Sequence, residues 1–194
     1  QQLLHCIGRS RSNLNQMSRM IQHMLEISRF ESGQMPLNKT PGDIAATSKA
    51  VAERLSPTAR GRAIVIDAPE SAPATFDEEI LRRVLTNLVE NALKEAPPNS
   101  DVRIVVSIDG QIVRTTVIDS GPGIPEELHE RIFDKFVVGD RKVRKRGFGL
   151  GLAFCRLAVT AHGGAIGVES KVGQGSRFWF TIPVSPGAAA SEPA

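Results

Sequence analysis

Apolar residues recur at three- and four-residue steps through Leu14, Met17, Met20, Ile21, Met24 and Ile27, and the pattern stops at Ser32-Gly33. The spacing predicts an amphipathic helix over residues 14–34 with a Met-rich packing seam. Residues 35–40 predict a short strand ahead of Pro41. A second helix is predicted over 43–56, with Ile44, Val51 and Leu55 inward, followed by a strand at 63–67 and a Pro-rich loop at 68–74. Asp77 is placed to cap a helix over 78–95, whose inward face is Leu81, Val84, Leu85, Leu88 and Ala92 and which Pro97-Pro98 stops. Residues 102–108 and 111–118 alternate in period two around Asp109-Gly110, a tight hairpin signal. Pro125 predicts a short helix through Phe133 with Glu126 and Glu127 in its first turn. Residues 137–146 read as a basic loop, 149–162 as a helix ended by Gly163-Gly164, and 165–170 and 176–183 as strands. Helices and strands mix around an antiparallel hairpin, which favours a two-layer α/β sandwich over a doubly wound parallel sheet.

The chain has 194 residues, enough for one domain and an appendage, and its 41% hydrophobic content supports a packed core. A net charge of +3 gives no reason to invoke nucleic acid. The cationic excess is local, at Arg141, Lys142, Arg144, Lys145 and Arg146. Cys6 and Cys155 suggest neither a disulfide framework nor a zinc site, which fits a reducing compartment, and Cys155 lies in an apolar helical pattern as a buried free thiol. No apolar run approaches the roughly 18 residues of a membrane span, and no signal peptide is visible. The start at Gln1 reads as a piece of a longer protein. The Pro/Ala/Ser-rich stretch 185–194 is expected to be disordered.

Three places carry candidate chemistry. Asn87 and Asn91 share one helical face, with Lys94 a turn on. Amide oxygens can complete a Mg²⁺ shell already holding water and triphosphate oxygens, and a lysine there can neutralise phosphate; the strip also reads as an ordinary polar helix border. Asp119 ends an apolar strand before Ser-Gly121-Pro-Gly123. A carboxylate only accepts hydrogen bonds, so it suits the exocyclic amine of adenine, and the glycines let the backbone approach a purine; a plain turn would use the same residues. Ser176 could add a hydroxyl. Gly147, Gly149 and Gly151 feed a helix N-terminus, whose free N–H groups suit phosphate. The dinucleotide-fold reading fails because this stretch follows a basic loop rather than a strand. His5, His23, His129 and His162 show no metal spacing, and His162 sits at a helix end as a cap.

Over residues 12–184 these motifs resemble a bacterial sensor histidine kinase, of the superfamily shared with gyrase and MutL ATPases. Asn87-Leu-Val-Glu-Asn91-Ala-Leu-Lys94 is similar to the family's N box, and Asp119-Ser-Gly-Pro-Gly123 to its first glycine box. Phe133-Asp-Lys-Phe136 is similar to the F box, Gly147-Phe-Gly-Leu-Gly151 to the second glycine box and Gly173-Gln-Gly-Ser176 to the last. The resemblance implies a Bergerat fold: a mixed, mostly antiparallel sheet with helices on one face. It implies ATP and Mg²⁺ as cofactors, with Asn91 ligating the metal, Asn87 supporting it and Asp119 reading adenine. Ile124, Phe136, Arg146, Phe148, Leu150 and Leu152 complete the implied nucleotide pocket, under a lid at 137–146.

Residues 1–34 then correspond to the second helix of a dimerisation and phosphotransfer hairpin, 35–184 to the catalytic ATP-binding domain and 185–194 to the tail. The phosphoacceptor motif is missing, since His5 is followed by Cys6-Ile-Gly. The implied activity is transfer of the ATP γ-phosphoryl to a His on the missing helix, for relay to a response regulator receiver domain. Implied too are a homodimer of the full-length protein through the hairpin and a cytoplasmic site, with no membrane contact from this stretch and any anchor elsewhere in the parent. Glu95 stands where the family usually has an aromatic, and Phe148 where it has a small hydroxyl residue. Two alternatives stay open: a degenerate nucleotide-binding scaffold signalling through protein contacts, and a slow ATPase of the same fold.

Overall fold

The structure, a computed structural model, describes residues 17, 20–21, 24–33, 36–137 and 149–184. The expectations for His5, Cys6, His23, the tail and the basic stretch from Val138 to Arg146 lie outside these residues, as do Gly147 and Phe148.

Residues 17, 20, 21 and 24–31 are helical (α1). The expected seam divides: Ile27 is buried and Met20 packs against the core, whereas Met17, Ile21, Met24 and Leu25 are exposed. Phe30 meets Phe154 edge to face at 5.7 Å. Arg83 lies over the same Phe154 ring, its guanidinium 4.2 Å from the centroid, and pairs with Glu26. Glu31 reaches Lys135 at 2.6 Å.

The strand expected at 35–40 is displaced: β1 is Thr40–Asp43 and includes Pro41. It pairs antiparallel with β3 (Pro73–Phe76), which falls partly where a loop was expected. A two-stranded ribbon tolerates Pro41 because one edge of the strand needs no N–H. Gly42 leaves room for the Phe76 ring, which a Cβ there would approach to 2.9 Å. Asp43 then opens α2 (Ile44–Leu55), accepting from the N–H groups of Ala45 and Ala46, from Ala72 N and from the Ser71 hydroxyl. α3 is Glu78–Glu95, as the periodicity predicts, with Asp77 accepting from Ile80 N at 3.1 Å. Arg62 fixes its far end by donating to Ala96 O from Nε and Nη2.

β2 (Ala63–Asp67), β4 (Asp101–Asp109), β5 (Ile112–Asp119), β6 (Ile166–Ser170) and β7 (Ser176–Pro183) form one open sheet in the order β2-β4-β5-β7-β6. Only the β2–β4 pair is parallel. The β4–β5 loop is Gly110-Gln111, one residue later than the sequence suggests, with φ +56° at Gly110. Two 3₁₀ turns, Glu126–Leu128 and Arg131–Phe133, replace the single helix expected after Pro125. The helix expected at 149–162 is shorter: α4 is Gly151–Ala161.

One sheet face carries Ile104, Val106, Val113, Val117, Phe178, Phe180 and Ile182, all buried. They meet Leu81, Val84, Leu85, Leu88 and Ala92 of α3 and Phe154, Ala158 and Val159 of α4 in one core. Burying a Val, Leu, Ile or Phe side chain contributes about 1.5–3 kcal/mol, so this face sets the register of α3 and α4. The result is the two-layer α/β sandwich expected from the sequence.

Candidate functional site

The motif residues gather at one end of the sheet, around α3. Register within α3 follows from its buried stripe, and Asn87, Asn91 and Lys94 fall at its partly exposed margin. Asn87 Nδ2 is shielded and has no full hydrogen-bond partner among the described residues. It faces the thiol of Cys155 on α4, a weak acceptor. Burial pushes that thiol up to about 12, with the Asn87 amide and Arg83 opposing, so Cys155 stays protonated and inert. Lys94 Nζ lies 3.5 Å from Glu95 Oε1.

Two glycine turns lean on α3 at separate points. Gly151 faces Asn87: a Cβ on it would lie 3.6 Å from Oδ1. Gly121 faces the far end, where a Cβ would come within 3.0 Å of Glu95 O and 2.7 Å of Asp119 Oδ1. Eight residues of α-helix separate these contacts by about 12 Å. This margin of α3 thus has an amide end and a carboxylate end.

At the carboxylate end Asp119 closes β5 and is buried. Its Oδ1 accepts from Gly121 N at 2.8 Å. Burial raises its pKa; the Gly121 N–H opposes this, Glu95 adds to it, and the Ser176 N–H opposes it. Ser176 stands directly across the β5–β7 ladder, and its side chain is buried beside Asp119. The loop after Asp119 is clasped by the loop before Ser176. Gly123 has φ +73°, and a Cβ there would lie 2.1 Å from Lys171 O. Gly175 has φ +77°, and a Cβ there would lie 2.0 Å from Asp119 O. Gly173 N donates to Pro122 O at 2.7 Å. Ile124 packs against the core.

The amide end is shaped by the start of α4. Gly149 has φ +65° and abuts Val137 O and Phe136, and Phe136 N donates to Gly149 O at 2.9 Å. Phe136 itself has φ +65° and is exposed. Leu150 is buried at the cap position and Leu152 packs against the core. α2 and α3 begin with a capping aspartate; among the described residues α4 has no side-chain cap, and its first turn holds no acidic residue. Its first N–H groups therefore have no intrahelical acceptor, and the helix dipole adds positive character there.

Of the predicted residues, Gly151 meets Asn87 at one point of α3 and Gly121 meets Glu95 and Asp119 at the other, with Gly123 and Ser176 beside Asp119. Asn91 and Lys94 lie between these points on α3, and Phe136 and Gly149 are joined by a hydrogen bond. Ile124, Leu150 and Leu152 belong to the core, and Arg146, Gly147 and Phe148 lie outside the described residues. Two residues outside the motifs brace the turns beside Asp119. Ser170 Oγ bonds to Ile124 N and Gly175 O, and a His129 ring nitrogen lies 3.1 Å from Ile124 O. The signal for Ser170 was available: it follows Ile166 and Val168 at period two, a hydroxyl where the pattern calls for an apolar residue.

The chain matches the family described as histidine kinase-, DNA gyrase B- and HSP90-like ATPases over residues 76–186. It is 35% identical over 181 residues to the adaptive-response sensory kinase SasA of Crocosphaera subtropica, covering 91% of this chain and 47% of that protein. With SasA of a Synechococcus species it shares 37% over 179 residues, 90% of this chain and 48% of that one. The chain therefore spans about half the length of these relatives. Among solved structures it resembles full-length ShkA in complex with AMPPNP, with a TM-score of 0.81 and 34% identity over 95% of this chain and 38% of that one. It also resembles histidine kinase ThkA in complex with the response regulator protein TrrA, with a TM-score of 0.72 and 28% identity over 90% of this chain and 50% of that one.

Proposed function

This chain belongs to the histidine kinase-, DNA gyrase B- and HSP90-like ATPase family, and from that premise we propose that residues 35–184 are the ATP-binding catalytic domain of a sensor histidine kinase. Residues 1–34 contribute the second helix of its dimerisation hairpin. The observation that carries the reading is the two-ended margin of α3: the turn beside buried Asp119 meets one end and the start of α4 meets the other, with the Asn87–Lys94 strip between them.

In this reading Asp119 accepts the adenine amine, and Gly121 and Gly123 leave room for the ring. The open N–H groups of α4 and the Lys94 ammonium hold phosphate. The donor set fits a hard cation bound jointly by protein and nucleotide. Among the described residues no group of three or more His, Cys, Asp or Glu could hold a metal alone, whereas Asn91 offers a neutral oxygen with Asn87 behind it. A bound Mg²⁺ supplies neutralisation of triphosphate charge. Asn91 would hold it, and the chain's own groups would orient the phosphates, which is most of what phosphoryl transfer asks of a protein.

The acceptor is a His on the hairpin helix not in this chain, and the next acceptor is a response regulator receiver domain. ThkA, solved with its response regulator, supports that partner. The exposed Met17, Ile21, Met24 and Leu25 of α1 support hairpin pairing in a homodimer. No helix among the described residues is long and apolar enough to cross a membrane, and the buried Cys155 thiol suits a reducing cytoplasm. Labelled ATP tests the whole: this chain alone stays unlabelled, and adding the parent's complete hairpin yields acid-labile phosphohistidine on that hairpin. Label on this chain alone, or none on the hairpin despite tight ATP binding, refutes the kinase reading.

A further inference from the structure

Ser170 ends β6 directly opposite Ser176 on β7. Its Oγ is 2.9 Å from Ile124 N, 2.7 Å from Gly175 O and 3.1 Å from Ser176 Oγ. A serine hydroxyl carries one proton and two lone pairs. The Ile124 N–H can only donate to Ser170, and the Gly175 carbonyl can only accept from it. The single Ser170 proton is therefore committed to Gly175. Toward Ser176 the Ser170 oxygen can only accept, so Ser176 must donate its own proton there. What Ser176 has left to offer beside Asp119 is lone pairs. Asp119, its ladder partner, is acceptor-only when ionised.

We propose that Ser170 is a positioning residue for purine selection, which by holding the Ser176 proton leaves the Asp119–Ser176 wall with acceptors alone. Such a wall receives an exocyclic amine and leaves a ring carbonyl facing lone pairs, a mismatch that costs more than a missing contact. The inference rests on the reading of the Asp119 end as the base site. The position of Ser170 is itself fixed. It sits on a paired strand, and its partner Ile124 is held from the other side by the His129 ring nitrogen, 3.1 Å from Ile124 O. The Gly123 and Gly175 turns clasp without room for a Cβ at either glycine.

The test compares affinities for ATP and ITP, which differ by amine against carbonyl at the purine 6-position and by a bare nitrogen against N–H at position 1; the acceptors of this wall select for ATP where they face position 6. The wild-type chain should prefer ATP. Ser170→Ala frees the Ser176 hydroxyl to donate into the cleft, and the ATP/ITP preference should narrow about five- to tenfold. Ser170→Thr, which keeps the hydroxyl, should retain the preference. Ser176→Ala should narrow it as well, and adding Ser170→Ala to that variant should narrow it no further. An equal loss of ATP and ITP affinity in Ser170→Ala would mean a purely structural role and overturn the proposal. So would a wild-type preference that survives Ser176→Ala, a result independent of whether Ser170→Ala folds. Wild-type protein that binds ATP and ITP equally would instead overturn the base-site reading, and this inference with it.

Discussion

His162 and Asp77 join the end of one helix to the start of another. The Asp77 N–H donates to His162 Nε2 at 3.0 Å, while Nδ1 donates to Ala158 O at 2.7 Å. Since the carbonyl can only accept, this is the neutral Nδ1–H tautomer. A proton on Nε2 would face the Asp77 N–H and break the join between α4 and α3, the two helices that carry the candidate site.

That pair gives a pH dependence of stability. Burial lowers the His162 pKa, the Ala158 carbonyl opposes this, Lys39 adds to the lowering and Asp77 opposes it. With the folded pKa below the unfolded value of about 6.5, the contribution is present above that value and lost as pH falls through the folded pKa. Unfolding midpoints should therefore drop between pH 7 and pH 5. His162→Phe should cost about 1–3 kcal/mol at pH 7 through the unsatisfied groups it leaves, and should flatten the decline on acidification. Parallel declines in variant and wild type would remove His162 from the account.

Asp119→Asn replaces an acceptor by a group that also donates. ATP affinity should fall about ten- to hundredfold, the worth of roughly 1.5–3 kcal/mol for a charge-assisted bond, as read by calorimetry. Because burial raises the Asp119 pKa, ATP affinity should begin to fall, as pH drops, at a higher pH than an ordinary aspartate would give. The stability sign is opposite to that of His162. A raised folded pKa favours the native state at low pH, and this contribution is lost as pH rises through it. Without nucleotide, Asp119→Asn should thus be no less stable than wild type at pH 7. A marked loss of apo stability would show that the carboxylate serves the fold more than the ligand.

Asn91→Ala should leave the melting temperature nearly unchanged, since Asn91 lies at the partly exposed margin of α3. It should abolish the difference between ATP affinity with Mg²⁺ and with a chelator. Titrations under both conditions decide this, and a difference kept at its wild-type size would rule Asn91 out as a ligand.

Gly123 and Gly173 have nearly the same positive φ, +73° and +79°, in different surroundings. A Cβ at Gly123 meets the Lys171 carbonyl, while nothing lies within 4 Å of one at Gly173. Gly173→Ala should cost only the backbone strain, about 1 kcal/mol. Gly123→Ala should cost several kcal/mol and weaken ATP, because Gly123 cannot take a Cβ unless the clasp beside Asp119 opens. Thermal melts of the two variants measure the gap, and equal costs would show that the clasp yields easily.

Where a pattern was long and local, the sequence alone determined the outcome. The bounds of α3, its Asp77 cap and the strand Ser176–Pro183 were legible because periods of 3.6 and 2 repeat often enough to leave one solution. The order of the glycine and asparagine motifs likewise announced the ATPase family to which the chain belongs. Short segments were misread where their partners are remote in sequence. β1 forms around Pro41 because Phe76 and Pro73 supply its pairing, and 3₁₀ turns form after Pro125 although local signals favour a longer helix. The Met seam of α1 was visible as a face, but only tertiary packing buried Ile27, set Phe30 against Phe154 and left Met17, Ile21 and Met24 outside. Tertiary structure alone decided which hydroxyl donates at the Asp119 end. A serine's polarity is set by all its neighbours at once, and those of Ser170 come from two segments, Gly175-Ser176 across the β6–β7 hairpin and Ile124 from a loop remote in sequence.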